Sequence, residues 1–266
     1  LTLSYLSFAP QSLRDCRITA GLAPIRTSVD NVYQHTFDRM KERNEEYYSW
    51  FPEDAELATR IAEHLRTHKE YLPTGERLTD HRFQMAGHFL GGRWRERGLH
   101  YFLETAFAEG NDHLSNQFLT AMGAEVTFQA NPLYALMHET IYADGPADGV
   151  LPGIPGYELS PSPAPTNWSA ARVAASRPEF APDADRLLFT GEHIFPWYYE
   201  EDPSLRPLAE VANLLAEKKD WGRLYDHAQL HKNEVPVVAA AYNPDVYVDF
   251  EHSMETARWV GNTHVW

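Results

Sequence analysis

The stretch Val235-Pro-Val-Val-Ala-Ala-Ala-Tyr242 decides the fold of this chain, because it is a short, continuous run of small and β-branched apolar residues. Such a run is typical of a central strand in a parallel sheet that is covered on both faces. It leads directly into Asn243-Pro-Asp-Val-Tyr-Val-Asp249. Side chains just beyond the carboxyl end of such a strand project into the crevice where ligands bind. Asp245 is therefore the best-placed carboxylate, and Asp249 is the competing candidate.

A second predicted strand lies near the N-terminus. Residues 1–9 have the apolar character of a helix end, and Pro10 interrupts that helix. Cys16-Arg-Ile-Thr-Ala-Gly21 then favours a short strand that closes on a glycine. A helix followed by a strand is the repeating unit of a parallel α/β sheet, so we predict an α/β fold.

The residues between these two strands predict a large helical region without strand alternation. Apolar residues at Val29, Tyr33, Phe37 and Met40 recur at helical spacing from about residue 30 onward. Similar patterns predict further helices over residues 53–68, 80–90, 95–109, 114–122, 133–142, 168–176, 205–219 and 255–260. Residues 145–165 are so rich in proline and glycine that we predict an extended loop there.

Composition excludes several classes of function. The chain has 23 Lys and Arg against 38 Asp and Glu, a formal net charge of −15, so it would repel nucleic acids and anionic membrane surfaces. No apolar run approaches the ~20 residues that span a bilayer. One cysteine, Cys16, cannot form an intramolecular disulfide. We therefore expect a cytoplasmic protein without nucleic-acid or membrane partners, and a homo-oligomer is compatible with the sequence.

The histidine motifs do not predict a metal site. His138-Glu139 lacks the second histidine one turn later that a zinc-protease motif requires, because residue 142 is a tyrosine. His227 and His231 have a suitable i, i+4 spacing, but no third ligand is near in sequence. We expect neither a metal nor another cofactor.

Several segments, taken in chain order, resemble the larger type of prolyl aminopeptidase, also called proline iminopeptidase. These enzymes are serine peptidases of the α/β-hydrolase superfamily. The segments are Leu3-Ser-Tyr-Leu-Ser-Phe-Ala-Pro10, Ile18-Thr-Ala-Gly-Leu22, Asn131-Pro-Leu-Tyr-Ala-Leu-Met-His-Glu139, Leu188-Phe-Thr-Gly-Glu-His-Ile-Phe-Pro-Trp197 and the 236–249 region. The resemblance spans essentially the whole chain. It implies a partial α/β-hydrolase core over residues 1–25 and 234–266, and a mostly helical cap domain over residues 26–233.

Two members of that family's catalytic triad have no counterpart in these residues. The triad follows the order Ser, Asp, His, with the serine in a Gly-x-Ser-x-Gly elbow, and this chain contains no such elbow. The family's histidine lies in a segment ending His-Asp-Gly, which does not follow Asp245 here. Since the chain also begins without Met, we expect it to be a piece of a longer protein that is inactive on its own.

The resemblance also implies roles for individual residues. The complete enzyme would release N-terminal proline from peptide substrates, with Asp245 as the triad aspartate. Glu139 and Glu192 would hold the amine of the substrate. Tyr142, Phe195 and Trp197 would form the walls of the pocket.

Two other interpretations stay open. The first is another capped α/β-hydrolase, such as an esterase, an amidase or an epoxide hydrolase, and the nucleophile would distinguish these enzymes. The second is a non-catalytic interaction module derived from a hydrolase, because a chain without nucleophile and base cannot complete the triad reaction.

Overall fold

A computed structural model describes residues 1–92, 95–108, 112–145 and 165–266. The α-helices in this part of the chain are α1 (Thr2–Phe8), α2 (Val29–Trp50), α3 (Pro52–Thr67), α4 (Asp80–Phe83), α5 (Glu96–Glu104), α6 (Asn116–Val126), α7 (Pro132–Met137), α8 (Ser169–Ala175), α9 (Tyr198–Glu201), α10 (Ala209–Glu217), α11 (His227–His231) and α12 (Phe250–Trp259). Short 3₁₀-helices cover Pro10–Ser12, Gln84–Gly91, Glu139–Tyr142, Pro178–Phe180 and Arg206–Leu208.

The strands of the described residues form two separate sheets. A three-stranded sheet has the order β1 (Cys16–Ile18), β4 (Val237–Ala239), β5 (Thr263–Val265), and both pairings are parallel. Cys16 lies opposite Val237, and Val237 lies opposite Thr263. The second sheet is an antiparallel pair of β2 (Glu70–Tyr71) and β3 (Arg77–Leu78).

The parallel sheet confirms the predicted α/β fold, and the stretch that predicted it forms the central strand. The alternation of burial along β4 differs from the prediction. Val237 and Ala239 are buried in the core, whereas Val238 is 50% exposed. Among the described residues, the predicted burial of this strand is met on the face that packs on α1 and α11, and not at Val238.

The chain divides into two compact units. Unit 1 comprises Leu1–Thr36, His138–Ser169 and Asn213–Trp266, and unit 2 comprises Phe37–Met137 and Ala170–Ala212. Most of the predicted loop at 145–165 lies outside the described residues. The predicted boundaries of the core and the cap, 1–25, 26–233 and 234–266, stay a prediction.

Unit 1 is built on the parallel sheet. Its hydrophobic core joins Leu3 and Leu6 of α1 to Val237 and Ala239 of β4 and Leu230 of α11. Burial of a leucine or valine side chain such as these contributes about 1.5–3 kcal/mol. The core fixes β4, and with it the start of the loop that carries Asp245.

Unit 2 is mostly helical. Leu65, Phe83, Phe118 and Phe189 are among the side chains fully buried in it. The β2–β3 pair belongs to this unit, so the prediction of a region without strands was wrong there. The segment from Asp80 to Gly91 is a short α-helix continued by a 3₁₀-helix, which is a tighter winding than the predicted helix.

None of the helices in the described ranges is long and apolar enough to cross a membrane.

Candidate functional site

Asp245 lies in the loop after β4, in unit 1. The backbone N–H groups of Tyr247 and Val248 donate to its Oδ1 at 2.8 and 3.0 Å. This is an Asx-type turn, in which the carboxylate stabilises the loop that carries it. Within the described residues, Oδ2 accepts no hydrogen bond. The side chain is half-buried and keeps one oxygen available to a partner.

Gly21 supports the same loop from the end of the neighbouring strand. Its φ of +75° is a left-handed conformation that favours glycine, and a Cβ there would lie 2.7 Å from Val248 Cγ1. The N–H of Gly21 also donates to the carbonyl of Ala240 at 2.8 Å. The absence of a side chain at Gly21 therefore lets the Asp245 loop pack closely on the strand end.

Asp249, the competing aspartate, is engaged in structure. Its side chain is 1% exposed, and its Oδ1 accepts the N–H of His252 at 3.1 Å as the N-cap of α12. The same oxygen lies 3.3 Å from Nδ1 of His35. These contacts give Asp249 a structural role in capping α12 and pairing with His35. Among the described residues, Asp245 instead keeps Oδ2 available for a hydrogen bond.

The segment that carries Glu192, in unit 2, is held by two buried amide side chains. Asn44 donates from Nδ2 to the carbonyl of Phe189 at 2.9 Å and accepts the N–H of Phe189 at 2.8 Å. Gln84 donates from Nε2 to the carbonyl of Leu188 at 2.8 Å. The backbone of residues 188–189 forms these bonds with side chains instead of pairing with a strand. Residues distant in sequence therefore determine the conformation of the segment.

Gly87 allows this segment to approach the 3₁₀-helix Gln84–Gly91. A Cβ at Gly87 would lie 1.8 Å from the carbonyl oxygen of Thr190, a distance that no side chain tolerates. The N–H of Thr190 donates to the carbonyl of Gln84 at 3.0 Å. The backbone immediately before Glu192 is therefore held by Asn44 of α2 and by the 3₁₀-helix Gln84–Gly91.

Glu192 itself is half-buried and is bound by one tyrosine. The hydroxyl of Tyr134, on α7, donates to Oε2 of Glu192 at 2.6 Å. A charge-assisted bond of this length orients the carboxylate. The arrangement can present the carboxylate to a cationic group.

Phe195 and Trp197 belong to one aromatic cluster in unit 2. Their rings stack at 5.6 Å with an interplanar angle of 11°, and Tyr198 contacts both. Phe128 links Tyr198 to Tyr134, with ring centroids 5.4 and 6.5 Å apart. The structure thus connects the two predicted wall residues to the tyrosine that binds Glu192.

His81 adds a positive charge beside this cluster. Its Nε2 lies 2.7 Å from Oε1 of Glu201, and its ring meets Trp197 edge-on at 4.3 Å. Burial works to lower the pKa of His81, but hydrogen bonds to Asp80 and Glu201 outweigh it and raise the pKa to about 9. His81 is therefore charged at neutral pH.

Glu139 and Tyr142 lie in the 3₁₀-helix Glu139–Tyr142, in unit 1. The Glu139 side chain lies outside the described residues. Tyr142 is half-buried and meets Tyr33 and His138 with ring centroids 5.9 Å apart in each case. Burial lowers the pKa of His138 to about 4, so this histidine is neutral at neutral pH.

His227 and His231 bind different partners. His227 Nε2 lies 2.6 Å from Oδ2 of Asp144, and His231 Nδ1 lies 3.2 Å from the carbonyl of Trp259. Neither histidine is in a group of three candidate metal ligands within the described ranges.

Sequence reasoning missed Tyr134, Asn44 and His81. Tyr134 occurs inside the segment Asn131-Pro-Leu-Tyr-Ala-Leu-Met-His-Glu139, but nothing local indicates that its hydroxyl reaches a residue 58 positions away. Asn44 offers a weak signal, because an asparagine within a long amphipathic helix needs a polar partner when buried.

Comparison with known proteins gives a consistent result. The chain is 40% identical over 266 residues to a proline iminopeptidase of Aeromonas sobria, a match that covers 100% of this chain and 58% of the relative. It is 33% identical to the proline iminopeptidase aneH of Aspergillus aculeatus, covering 98% of this chain and 54% of that relative. No family model matches the chain. The similarity confirms the resemblance to proline iminopeptidases and agrees with an α/β-hydrolase fold, while the chain spans little more than half the length of these relatives.

Proposed function

We propose that the chain forms the aspartate-bearing and amine-binding part of a serine aminopeptidase that releases N-terminal proline from peptides. The observation that carries the proposal is the position of Asp245, which follows the central strand of a parallel sheet and keeps Oδ2 available. The names of both similar proteins support the same activity.

Asp245 would act as the third member of a Ser-His-Asp triad. The serine hydroxyl would attack the carbonyl of the N-terminal proline while the histidine accepts its proton and later returns it to the leaving amine. Oδ2 of Asp245 would accept the Nδ1–H of that histidine and stabilise the imidazolium. The two backbone N–H groups on Oδ1 would keep the carboxylate oriented throughout. The serine and the histidine would come from parts of the protein beyond these residues.

Glu192 would bind the amine of the substrate. An N-terminal proline carries a secondary ammonium on a pyrrolidine ring, so its site needs a carboxylate beside apolar surface. Glu192 supplies an oriented carboxylate, and Phe195 and Trp197 supply stacked rings in the same unit. We extend this role to Glu139 as a second carboxylate and to Tyr142 as a further wall, on the resemblance alone.

The protein that carries these residues would be a cytoplasmic enzyme acting on peptides with N-terminal proline. The net charge of −15 supports attraction of cationic peptide N-termini and disfavours nucleic acids and anionic membranes. Cys16 is a free cysteine, which is compatible with a reducing compartment. A homo-oligomer is compatible with the same features.

The test is hydrolysis of a chromogenic prolyl amide by the full-length protein. We expect release of the chromophore from the free prolyl amide and none from its N-acetyl derivative, because acetylation removes the ammonium that Glu192 would bind. A neutral ester serves as the second substrate. Hydrolysis of the ester without hydrolysis of the prolyl amide would contradict the aminopeptidase proposal and favour another capped hydrolase.

A further inference from the structure

His35, Asp249 and His252 bring three ligand atoms together in unit 1, and none of the three has a part in the proposed triad or amine site. Their ligand atoms all lie within 4.8 Å of one another. Oδ1 of Asp249 is 3.3 Å from Nδ1 of His35 and 3.7 Å from Nδ1 of His252. Bonds of ~2.0–2.1 Å in a tetrahedral zinc site separate neighbouring ligand atoms by roughly 3.3–3.5 Å. Both distances from Asp249 are close to this spacing. The rings of His35 and His252 stack with centroids 4.3 Å apart, so the imidazoles would have to turn toward a shared ion.

Two of the three ligands are deeply buried, and the third is partly exposed. The side chains of Asp249 and His252 are 1% and 7% exposed, whereas that of His35 is 35% exposed. The Nδ1 atom of His252 is buried and has no hydrogen-bond partner within the described residues. A buried ring nitrogen without a partner normally requires a reason, and a metal ion would supply one.

All three ligands lie on helices or at a helix N-cap. His35 projects from α2, and Asp249 and His252 occupy the N-cap and first turn of α12. The cap bond from the His252 N–H to Oδ1 of Asp249 fixes the carboxylate relative to the second ligand. Only His35 is solvent-accessible, so an ion would enter from its side and keep an open position for water.

Asn31 provides a partner for the distal nitrogen of His252. Its Nδ2 lies 3.1 Å from Nε2 of His252 and 2.7 Å from Oγ1 of Thr27. Rotation of the amide by 180° would place Oδ1 in the same position, where it could accept from both groups. A histidine that binds metal through Nδ1 donates its other N–H to such an acceptor. Asn31 can therefore bind Nε2 of His252 both with and without a metal on Nδ1.

We propose that His35, Asp249 and His252 form a binding site for a divalent first-row transition metal. Two imidazoles and one carboxylate match the ligand preferences of Zn²⁺, Co²⁺ and Ni²⁺ rather than those of Ca²⁺ or Mg²⁺. The bound ion would connect α2 to α12, whose N-cap residue Asp249 follows the Asp245 loop in sequence. The proposal does not depend on the peptidase activity, and the ion has no role in the proposed triad.

Competition with a chromogenic chelator tests the site in the full-length protein, with Zn²⁺ as the titrated ion and Co²⁺ absorption as the spectroscopic signal. We expect one ion per chain, and we expect His35→Gln and Asp249→Asn to weaken Zn²⁺ binding at least tenfold. Asp249→Asn keeps an N-cap residue on α12, so it separates loss of a ligand from loss of the helix. Absence of a 1:1 complex at micromolar Zn²⁺ would overturn the proposal.

A second group, His64, Glu70 and His113, supplies the matched control. The His113 side chain is 67% exposed, so His113→Gln makes the same chemical change with little risk to folding. We expect His113→Gln to leave the 1:1 stoichiometry and affinity unchanged. Loss of the complex in His113→Gln, with retention in His35→Gln, would assign the ion to the other group and contradict the proposal.

His35→Cys gives a positive signal that does not depend on loss of binding. A thiolate at residue 35 would bind Co²⁺ and produce a sulfur-to-cobalt charge-transfer band in the near ultraviolet. Cys16 is buried outside this group, and the unsubstituted protein controls for it. Retained Co²⁺ binding without that band would place the ion elsewhere and refute the assignment.

Discussion

The Asp245 loop and the Glu192 segment each present a carboxylate, but they hold it by different means. Asp245 is fixed by the N–H groups of the next residues in its own loop. Glu192 is oriented by the hydroxyl of Tyr134, and its segment is held by Asn44 and Gln84. A local backbone turn survives most side-chain changes, whereas a carboxylate that depends on distant side chains is sensitive to several of them. The proposed catalytic carboxylate is therefore oriented by neighbouring residues of its own loop. The proposed specificity carboxylate is oriented by residues that are distant in sequence.

Asp245→Asn tests the local side of this comparison and should have the largest effect. Asparagine can still accept both backbone N–H groups, so the turn is preserved while the charge is lost. Loss of a triad aspartate costs about 10⁴-fold in kcat in serine proteases. We expect a loss of that order in kcat of the full-length protein on prolyl amide and neutral ester alike.

Asp226→Asn is the matched control, since Asp226 caps α11 by accepting the N–H of Gln229. It should change kcat by less than twofold. A large loss in Asp249→Asn with retained activity in Asp245→Asn would instead support the competing aspartate.

Asn44→Ala tests the distributed side through stability. It removes both hydrogen bonds to Phe189 and leaves buried polar groups without partners, each at a cost of about 1–3 kcal/mol. We expect the free energy of unfolding to fall by roughly 2–5 kcal/mol in chemical denaturation. Asn116→Ala, at the exposed start of α6, should cost less than about 0.5 kcal/mol. An equal loss in the free energy of unfolding for both substitutions would contradict the role of Asn44 in holding the Glu192 segment.

Glu192→Gln should change specificity more than catalysis. Removal of the charge weakens a charge-assisted hydrogen bond worth about 1.5–3 kcal/mol. We therefore expect KM for prolyl amides to rise roughly 10- to 100-fold, with kcat on a neutral ester nearly unchanged. Parallel losses on both substrates would indicate a structural role for Glu192.

Tyr134→Phe should produce a smaller change of the same kind. It removes one hydrogen bond to Glu192 but keeps the carboxylate, so KM for prolyl amides should rise roughly 2- to 10-fold. Tyr101→Phe provides the control, because Tyr101 is 63% exposed in the same unit. In a Glu192→Gln background, Tyr134→Phe should have no further effect on KM, and an additive effect would contradict the coupling.

His81→Gln tests the charged environment of Trp197 and should have the smallest effect. The pKa of His81 is raised to about 9 in the folded protein, above the value of about 6.5 in an unfolded chain. Its contribution is complete below pH 6.5 and is lost as the pH rises through 9. Partial exposure limits it to about 1 kcal/mol, or roughly 2–4 °C in Tm.

The measurement is Tm of the native protein and of His81→Gln across pH 6–10. We expect the native protein to be the more stable below pH 6.5 and the difference to vanish above pH 9. A difference that does not depend on pH would exclude the charged pair with Glu201 as its cause.

The same contrast explains what the sequence could predict. The run at 235–242 predicted the central strand. The turn from Asp245 to Val248 was not predicted, although all of its hydrogen bonds lie within four residues. The resemblance implied an amine-binding role for Glu192, which stays a prediction. It did not indicate the partner of Glu192, because Tyr134 lies 58 residues away and offers no local pattern. Exposure of Val238 was also missed, since burial of the second face of a sheet depends on what packs against it rather than on the strand itself.

The most direct test is a two-by-two comparison of kcat/KM in the full-length protein, with Asp245→Asn and Glu192→Gln on a prolyl amide and a neutral ester. For Asp245→Asn, we expect the loss on the prolyl amide and the loss on the ester to agree within about threefold. For Glu192→Gln, we expect the loss on the prolyl amide to exceed that on the ester by at least tenfold. The same ratio for both variants would contradict the division between a catalytic aspartate and an amine-binding glutamate.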